Sequence, residues 1–382
     1  MTRPKVIPYL ICFLLTVFVV SGCATKNVVY RRADPNTQVV LPRDNFAHRN
    51  YRTEWWYFTG HLTADNGHEY AFEVTFFKRR TDEDKYRGLP IRNYSNPAHM
   101  AHFAIIDETA GTHRFEERRS KDYINNNGKG GTLEDKLYLW NDDWSLKQIG
   151  SDWLLRAGMK GYDLTLMLTP QKPPVLHGDN GYMAKGDQIG QGTHYFSYTN
   201  IRAEGVLFVD GSPLKVSGRA WHDHEYGSYQ MASEYRGWDW FSIRLDNDAE
   251  IMIYLLTLKQ GGIDSTSSGT IVPASGEPVH LNFDDFNVEV LDHWTSRKTE
   301  TTYPSAWKIT IPAYETELSV TPYILNQEMR TKKTLIQYWE GSAKVSGTYQ
   351  GQPISGKAFV ELTGYIEPLK YLTKRDVQEA GV

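Results

Sequence analysis

The stretch WWYFTGHL, residues 55–62, is rich in aromatic side chains, and WDWFSIRL, residues 238–245, matches it later in the chain. Each segment runs into a turn that contains Asn and Asp, and then into a further apolar run. Aromatic and β-branched side chains suit the pleated, half-buried surface of a β-strand. The two segments therefore predict a strand that occurs twice, in equivalent positions.

A second pair of matching segments supports an internal duplication. Residues 216–221 (VSGRAW) correspond to residues 354–359 (ISGKAF), and each segment follows a turn that contains Gly and Pro. The two matches occur in the same order along the chain. We therefore predict a duplicated β unit, with a first copy over 45–228 and a second copy over 235–368.

The two copies differ at the positions that carry titratable side chains. Asp223 of the first copy stands opposite Glu361 of the second. His222 and His224, in contrast, stand opposite apolar residues of the second copy. Chemistry that depends on these histidines is therefore expected in the first copy alone.

The composition predicts an all-β protein. The chain of 382 residues contains 24 Tyr, 15 Phe, 11 Trp and 31 Gly. Runs of alternating apolar and polar residues recur between turns, for example at 70–77, 100–107 and 162–169. Short strands at such spacing are typical of antiparallel barrels or sandwiches. The best helix candidate follows Pro368, in an expected C-terminal tail over 369–382.

The first residues are typical of a targeting segment. Arg3 and Lys5 form a short basic start, and an apolar run follows over 9–20. That run is too short for a comfortable transmembrane helix, but it suits the core of a signal peptide. We therefore predict a cleaved signal peptide over 1–22.

Both cysteines fall in this N-terminal region. Cys12 lies in the segment expected to be removed, and Cys23 follows Val-Ser-Gly, which resembles the bacterial lipobox, where the cysteine carries the lipid. We predict lipidation at Cys23, a lipidated linker over 23–44, and contact with a membrane through that anchor. Ala24 replaces the Asp that usually retains lipoproteins in the inner membrane. The expected location is therefore the outer membrane, facing the periplasm.

Several classes of function are excluded by what the expected mature chain lacks. It has no thiol, which excludes a disulfide framework, a Cys-ligated metal and a Cys nucleophile. Removing Arg3 and Lys5 changes the formal charge from −4 to −6, and no long basic run remains, so nucleic acid is not expected as a partner. A Gly-x-Ser-x-Gly nucleophile elbow is also absent from the sequence.

Titratable side chains are concentrated in AWHDHEYGS, residues 220–228. In a strand, His222 and His224 share one face, while Asp223 and Glu225 share the other. Two imidazoles on one face can hold zinc, but a catalytic zinc needs a third protein ligand. The candidates for a third ligand are His194, His102 and Glu54. Because no local pattern supplies that ligand, we expect neither a bound metal nor a cofactor.

Asp223 is the candidate general acid in this segment. Trp221 shares its face of the strand, and a carboxyl group among aromatic rings has its pKa raised by desolvation, so that it can donate a proton near neutral pH. A neighbouring histidine can hydrogen-bond the acid or the attacking water. The alternative interpretation is structural, with Asp223 and the histidines closing one end of a barrel through hydrogen bonds.

Two aromatic clusters also have both a functional and a structural interpretation. Trp55 and Trp56 in the first copy, and Trp238 and Trp240 in the second, either line a ligand pocket or fill the bottom of a barrel. Sequence alone leaves both interpretations open.

The motifs, taken together, resemble a known family. Residues 54–62, 102–107, 220–228, 237–245 and 338–347 resemble the AttH proteins and carotenoid 1,2-hydratases, also called hydroxyneurosporene synthases. The resemblance spans nearly the whole expected mature chain. It implies two lipocalin-like antiparallel β-barrels in tandem. Its hydratase members add water across the terminal double bond of an acyclic carotenoid.

The resemblance also implies a set of site residues. A His and an Asp that are 29 positions apart are the acid–base residues of the hydratases, and His194 and Asp223 have that spacing here. Phe196 and Trp221 stand where Trp and Tyr are expected in the hydratases. The predicted substrate-binding residues are Trp55, Trp56, Phe196, Trp221, His222, His224, Trp238 and Trp240.

Three functional hypotheses follow from these patterns. The first is a hydratase or isomerase that acts on an apolar, isoprenoid-like molecule by acid–base catalysis. The second is a lipid or isoprenoid carrier, or a surface attachment factor, with no turnover. The third is a metal-dependent secreted hydrolase. Identifying the bound molecule, and whether it is changed, would separate the first two, and zinc analysis would test the third.

Overall fold

The computed structural model describes residues 30–81, 85–86, 89–90, 97–120, 128–186, 190–228, 231 and 233–366. The predicted signal peptide, Cys23 and the predicted C-terminal tail lie outside the described residues. The helices within those ranges are 3-10 turns at Arg43–Asn45, Phe283–Asp285 and Pro312–Tyr314. In the described part of the chain, no helix has the length and apolar character needed to cross a bilayer.

Thirteen strands of the first half form one antiparallel sheet. Their bounds are β1 (Thr53–Ala64), β2 (Glu69–Arg79), β5 (Ala98–Asp107), β6 (Thr112–Ser120), β7 (Gly130–Thr132), β8 (Tyr138–Asn141), β9 (Trp144–Ile149), β10 (Asp152–Met159), β11 (Tyr162–Pro170), β12 (Val175–Leu176), β13 (Tyr182–Ala184), β14 (Gly192–Val209) and β15 (Ser212–Gly227). A separate two-stranded sheet consists of β3 (Lys85–Tyr86) and β4 (Leu89–Pro90).

The first sheet rolls into a nearly closed barrel. Its strand order is β6-β5-β2-β1-β15-β14-β11-β10-β9-β8-β7, so β6 and β7 are its edges. Side chains join the two ends. Arg118 of β6 donates to the carbonyl oxygen of Asn141 in β8 at 3.2 Å, and the Ser120 hydroxyl donates to the Asn141 side chain at 2.5 Å.

Ten strands of the second half form another antiparallel sheet. Their bounds are β16 (Tyr235–Leu245), β17 (Glu250–Leu258), β18 (Ser268–Val272), β19 (Val279–Leu281), β20 (Asn287–Thr295), β21 (Thr302–Ile311), β22 (Thr316–Pro322), β23 (Glu328–Met329), β24 (Tyr338–Tyr349) and β25 (Gln352–Thr363).

The second sheet repeats the connectivity of the first but stays open. Its order is β19-β18-β17-β16-β25-β24-β22-β21-β20. As β1 pairs with β15 in the first half, so β16 pairs with β25 in the second. The edge strands β19 and β20 are not paired with each other, so this sheet is a half-barrel. The prediction of an all-β protein with two tandem antiparallel barrel-like sheets is confirmed, the first sheet being nearly closed and the second a half-barrel.

Apolar side chains fill three regions. One cluster lies inside the first barrel and another inside the half-barrel. A third cluster joins the two halves and contains Tyr57, Tyr195 and Trp221 from the first half with Trp240 and Tyr254 from the second. Burial of these rings contributes favourable free energy, at roughly 25 cal/mol for each Å² of apolar surface removed from water.

Polar contacts also join the two halves. The Glu117 carboxylate accepts backbone N–H groups of Lys333 and Thr334 at 2.9 and 2.8 Å. Nδ1 of His102 lies 2.7 Å from the Tyr338 hydroxyl. His102, a candidate metal ligand in the sequence, is therefore part of the contact between the halves, which fixes the walls of the space between them.

Candidate active site

A cavity of about 240 Å³ lies between the two halves, lined by side chains from both. Trp55 and Trp238 are half-buried and mark where the cavity reaches the surface. Aromatic and carboxyl side chains from both halves make up much of the rest of the lining. From the first half they include Tyr57, Tyr195, Asp223 and Glu225, and from the second half Trp240, Tyr254, Tyr338 and Glu361.

Asp223 lies in this lining because its position in β15 points away from the interior of the barrel. Its Oδ1 accepts hydrogen bonds from the Ser197 hydroxyl and from Nε1 of Trp221, the latter at 2.5 Å. Its Oδ2 accepts from the Tyr195 hydroxyl at 2.7 Å. Burial raises the pKa of Asp223 to about 7, although the three hydrogen bonds oppose that shift. The carboxyl group is thus poised to lose or gain a proton near neutral pH.

A histidine outside the predicted set supports this acid. Nε2 of His177 lies 2.7 Å from the Ser197 hydroxyl oxygen, and Nδ1 lies 2.9 Å from the Thr270 hydroxyl. Because Ser197 donates its proton to Asp223, Nε2 of His177 must be the donor to Ser197. Burial lowers the pKa of His177 to about 3, so the imidazole is neutral. Its role is to orient Ser197.

Glu361 lies in the same cavity and comes from the second half. In β25 it pairs with Trp240 of β16, just as Asp223 of β15 pairs with Tyr57 of β1. Its Oε2 accepts a hydrogen bond from Nε1 of Trp238 at 2.7 Å. Burial raises the pKa of Glu361 to about 7, and the charge of Asp223 adds to that shift.

An ion pair lies beside these two acids. Nζ of Lys185 donates to Oε1 of Glu225, and both side chains are buried. The ammonium also lies 4.9 Å from the ring centre of Tyr254, 5.7 Å from that of Trp55 and 5.9 Å from that of Trp238. A cation over aromatic faces is stabilised by their quadrupoles. Glu225 is therefore already committed to a charge partner.

Two more carboxyl groups lie behind the cavity wall. Glu340 accepts a hydrogen bond from the Tyr57 hydroxyl at 2.6 Å, and burial raises its pKa well above the usual range. Burial likewise raises the pKa of Glu73 to about 8, while a hydrogen bond from Thr75 opposes the shift. Burial therefore favours the protonated, neutral form of both groups.

The structure separates His194 from Asp223, contrary to the expected pair. In the register of β14 with β15, His194 lies opposite Tyr226, and Ser197 lies opposite Asp223. Because side chains alternate along a strand, His194 points to the interior of the barrel and Asp223 to the cavity. Burial lowers the pKa of His194 to about 4. The 29-residue spacing therefore does not place the two side chains together.

The predicted substrate-binding residues divide in the same way. Trp55, Trp238 and Trp240 line the cavity, and Trp221 holds Asp223. The others lie on the interior face of the first barrel, where they pack against one another or against neighbouring rings. These are Trp56, Phe196, His222 and His224.

The interior face of the barrel carries a charged network of its own. Oε1 of Glu54 lies 2.7 Å from Nδ1 of His48 and 3.0 Å from Nε2 of His224, a grouping with the spacing of metal ligands. Oε2 of Glu54, however, accepts from Nζ of Lys78 at 2.6 Å. That ammonium supplies the positive charge that the buried carboxylate needs. The network thus fits a hydrogen-bonded ion pair better than a cation site.

Sequence reasoning missed several cavity residues. From the sequence, Glu361 was recognised only as the counterpart of Asp223. The alternation of side chains that places Asp223 on the cavity face of β15 would also have placed Glu361 on the cavity face of β25. Tyr195 could have been found by counting back two residues from Ser197 on the strand that pairs with β15. Lys185 lies outside any strand, and the sequence carries no periodic signal for it.

Comparison with known proteins gives a consistent assignment. The AttH-like family matches residues 32–365. A crystal structure from Nitrosomonas europaea assigned to AttH has a TM-score of 0.79 and 27% identity, covering 88% of this chain and 100% of that one. Kievitone hydratase from Nectria haematococca has a TM-score of 0.68 and 16% identity, covering 88% and 96%, and so shares the fold.

A curated relative gives a further match. Dehydratase asqC from Emericella nidulans is 21% identical over 246 residues, which are 62% of this chain and 65% of that protein. The chain thus matches less than two thirds of that relative's length. The family match covers most of the described residues and agrees with the observed fold. The chain belongs to the AttH-like family.

Proposed function

We propose that this protein is a hydro-lyase that adds water to, or removes it from, a carbon–carbon double bond of an apolar small molecule bound between its two halves. The observation that carries the proposal is the state of Asp223, a buried carboxyl in an aromatic cavity with a pKa near 7. Such a group can hold a proton at neutral pH and release it to a poor base such as an alkene.

The surroundings of Asp223 favour this proton transfer. When Asp223 protonates one alkene carbon, its carboxyl becomes a carboxylate. The donors Ser197, Trp221 and Tyr195 are already in place to receive the negative charge. Preorganised donors of this kind stabilise the charge that develops in a transition state. The positive charge appears on the adjacent carbon, where water captures it.

The aromatic lining suits the carbocation that this proton transfer produces. Tyr57, Trp55 and Trp240 line the cavity. Aromatic faces attract a cation, and the attraction is greater where water is excluded. The Lys185 ammonium does not oppose the cation strongly, because Glu225 balances its charge.

The size of the cavity limits the substrate. A space of about 240 Å³ admits a short acyclic isoprenoid, or the end of a longer one. A complete carotenoid does not fit inside it, so a long substrate must leave most of its chain outside. The mostly apolar lining supports an isoprenoid-like class of substrate, the class that the sequence motifs predict.

The relatives support the reaction class. One structural neighbour is named a hydratase and one curated relative a dehydratase, and the two reactions are one equilibrium in opposite directions. Asp223 can serve in both directions of the reaction. It gives a proton to carbon in hydration and takes a proton from the same carbon in dehydration.

The experiment uses the mature protein with geraniol, an acyclic isoprenoid with a trisubstituted double bond, in water enriched in oxygen-18. We expect a product in which a second hydroxyl group carries the oxygen-18 label. We expect Asp223→Asn to abolish formation of this product. A matched control is Asp163→Asn, on β11 of the same barrel and outside the cavity lining. Recovery of bound but unchanged isoprenoid from the wild-type protein would instead support a carrier, and full activity in Asp223→Asn would refute the assignment.

A further inference from the structure

We propose that Glu361 is the second acid–base group of the reaction, exchanging a proton with the water while Asp223 exchanges one with carbon. This inference rests on the proposed hydro-lyase function. It assigns one catalytic carboxyl to each half of the duplicated chain, so that the reaction takes place between them.

The first support is positional equivalence. Tyr57 and Trp240 occupy the same place in the matching strands β1 and β16. Asp223 pairs with Tyr57, and Glu361 pairs with Trp240. On the other side, Asp223 pairs with Ser197 of β14, and Glu361 pairs with Glu340 of β24. The duplication therefore presents two carboxyl groups to one cavity.

The second support is that both carboxyl groups line the same cavity. Asp223 is 5% exposed and Glu361 is half-buried, and Oε2 of Glu361 is held in the lining by the indole N–H of Trp238. Substrate in this space lies between side chains of the two halves. One carbon of the double bond takes a proton and the adjacent carbon takes water. A substrate in the cavity can thus have one carboxyl group near each of these two positions.

The third support is the difference between their hydrogen bonds. Asp223 accepts from three donors, whereas within the described residues Glu361 accepts from one, the indole of Trp238. More donors stabilise a carboxylate more strongly. The carboxylate of Asp223 is therefore the better stabilised after Asp223 has given its proton to carbon. The carboxylate of Glu361, with fewer donors, is more basic towards water.

The two groups are also electrostatically coupled. The charge of Asp223 adds to burial in raising the pKa of Glu361. A carboxyl group whose pKa is raised by a neighbouring carboxylate holds its proton more tightly while that neighbour is ionised. One acid and one base are then present together, which is what addition of water requires.

Every proton that is released is also taken up, in both directions of the reaction. In hydration, Asp223 transfers its proton to one alkene carbon, water forms a C–O bond at the other, and Glu361 accepts the proton that water loses. Returning that proton from Glu361 to Asp223 resets the site. In dehydration Glu361 protonates the departing hydroxyl and Asp223 takes the proton from carbon.

Three other carboxyl groups near the cavity do not fit this role. Glu225 is held by Lys185, and Glu340 binds Tyr57 and does not line the cavity. Glu73 is hydrogen-bonded to Thr75 and is also outside the lining.

The test compares Glu361→Gln with Asp223→Asn in the full mature protein. We expect Glu361→Gln to lower kcat about a hundredfold or more, with KM much less affected, and to remove one limb of a bell-shaped pH profile. Asp239→Asn is the matched control. Asp239 is a buried carboxyl of β16 whose pKa burial also raises to about 7, but it binds Tyr365 and lies outside the lining. It should leave the profile unchanged.

Two outcomes separate this inference from the proposed function. If the wild-type protein releases no hydrated product, the hydro-lyase itself is refuted. If Asp223→Asn is inactive but Glu361→Gln keeps the wild-type rate and profile, only the role of Glu361 is refuted. A carbon-13 titration adds a readout independent of turnover, because Asp223→Asn should lower the titration midpoint of Glu361. An unchanged midpoint would contradict the coupling.

Discussion

The Tyr57 hydroxyl in the first half donates a hydrogen bond to Glu340 in the second, at 2.6 Å. Trp240 occupies the equivalent position in the second half, and its indole N–H donates to the Tyr195 hydroxyl of the first at 3.1 Å. Each half therefore extends a donor to the strand that lies next to the other half's acid. This exchange holds the two walls of the cavity in place.

Removing the Tyr57 hydroxyl tests the exchange. Tyr57→Phe leaves the buried Glu340 without this donor, and an unsatisfied buried polar group costs about 1–3 kcal/mol. We expect the free energy of unfolding in urea to fall by that amount. Tyr349→Phe is the control, because the buried Tyr349 hydroxyl has no hydrogen-bond partner in the described part of the chain. Equal losses in both variants would contradict the interpretation.

The pH dependence of turnover tests the state of Asp223. Hydration needs the protonated acid, so the rate should fall as pH rises through about 7, the pKa to which burial raises Asp223. Ser197 lowers that pKa through its hydrogen bond. Ser197→Ala should therefore raise the pKa and move the falling limb of kcat/KM to higher pH.

The matched control for that variant is Thr193→Val on the same strand. The Thr193 hydroxyl is buried without a hydrogen-bond partner among the described residues, so its removal should leave the limb where it is. A limb that moves to lower pH in Ser197→Ala would show that Asp223 is not the group that titrates.

Metal analysis tests the network around Glu54. Because Lys78 already supplies a positive charge to this carboxylate, we expect purified protein to carry far less than one zinc per chain. A chelator should leave the melting temperature unchanged, since a bound metal would otherwise add to folding stability. Stoichiometric zinc, with stability lost on chelation and restored by zinc, would revive the hydrolase hypothesis.

Lipidation is tested in a Gram-negative host. We expect the full chain to fractionate with the outer membrane and Cys23→Ser to be released from it, because the anchor is proposed to be the lipid on that cysteine. Cys12→Ser is the control, since Cys12 lies in the segment expected to be removed. Membrane retention of the Cys23→Ser protein would refute the anchor.

The fold was predictable because its signals are local and repeated. Aromatic strands, Gly-containing turns and two matching segments specify antiparallel β-structure and a duplication. Closure was not predictable, because it depends on contacts between the ends of a sheet. Arg118 and Ser120 reach Asn141 in the first half, whereas the edge strands of the second remain apart.

The site was predictable in part for the same reason. Alternation correctly placed Asp223 and Glu225 on one face and His222 and His224 on the other. His194 was paired with Asp223 because the resemblance implies an acid–base pair 29 positions apart, and that spacing does not reveal the register between β14 and β15. That register puts Ser197, not His194, beside the acid. His177 and Lys185 reach the site from outside the long strands, where no periodic pattern exists.

The reciprocal contacts of Tyr57 and Trp240 have a consequence for ancestry. Donors exchanged between equivalent strands resemble the contacts of identical subunits across a two-fold axis, although the acceptors are offset here, since Tyr195 lies two residues before Ser197, the counterpart of Glu340. An unduplicated ancestor of half the length could have assembled the same chamber as a homodimer, with two identical acids. In one fused chain, each acid position is free to change separately, and here one is Asp223 and the other Glu361.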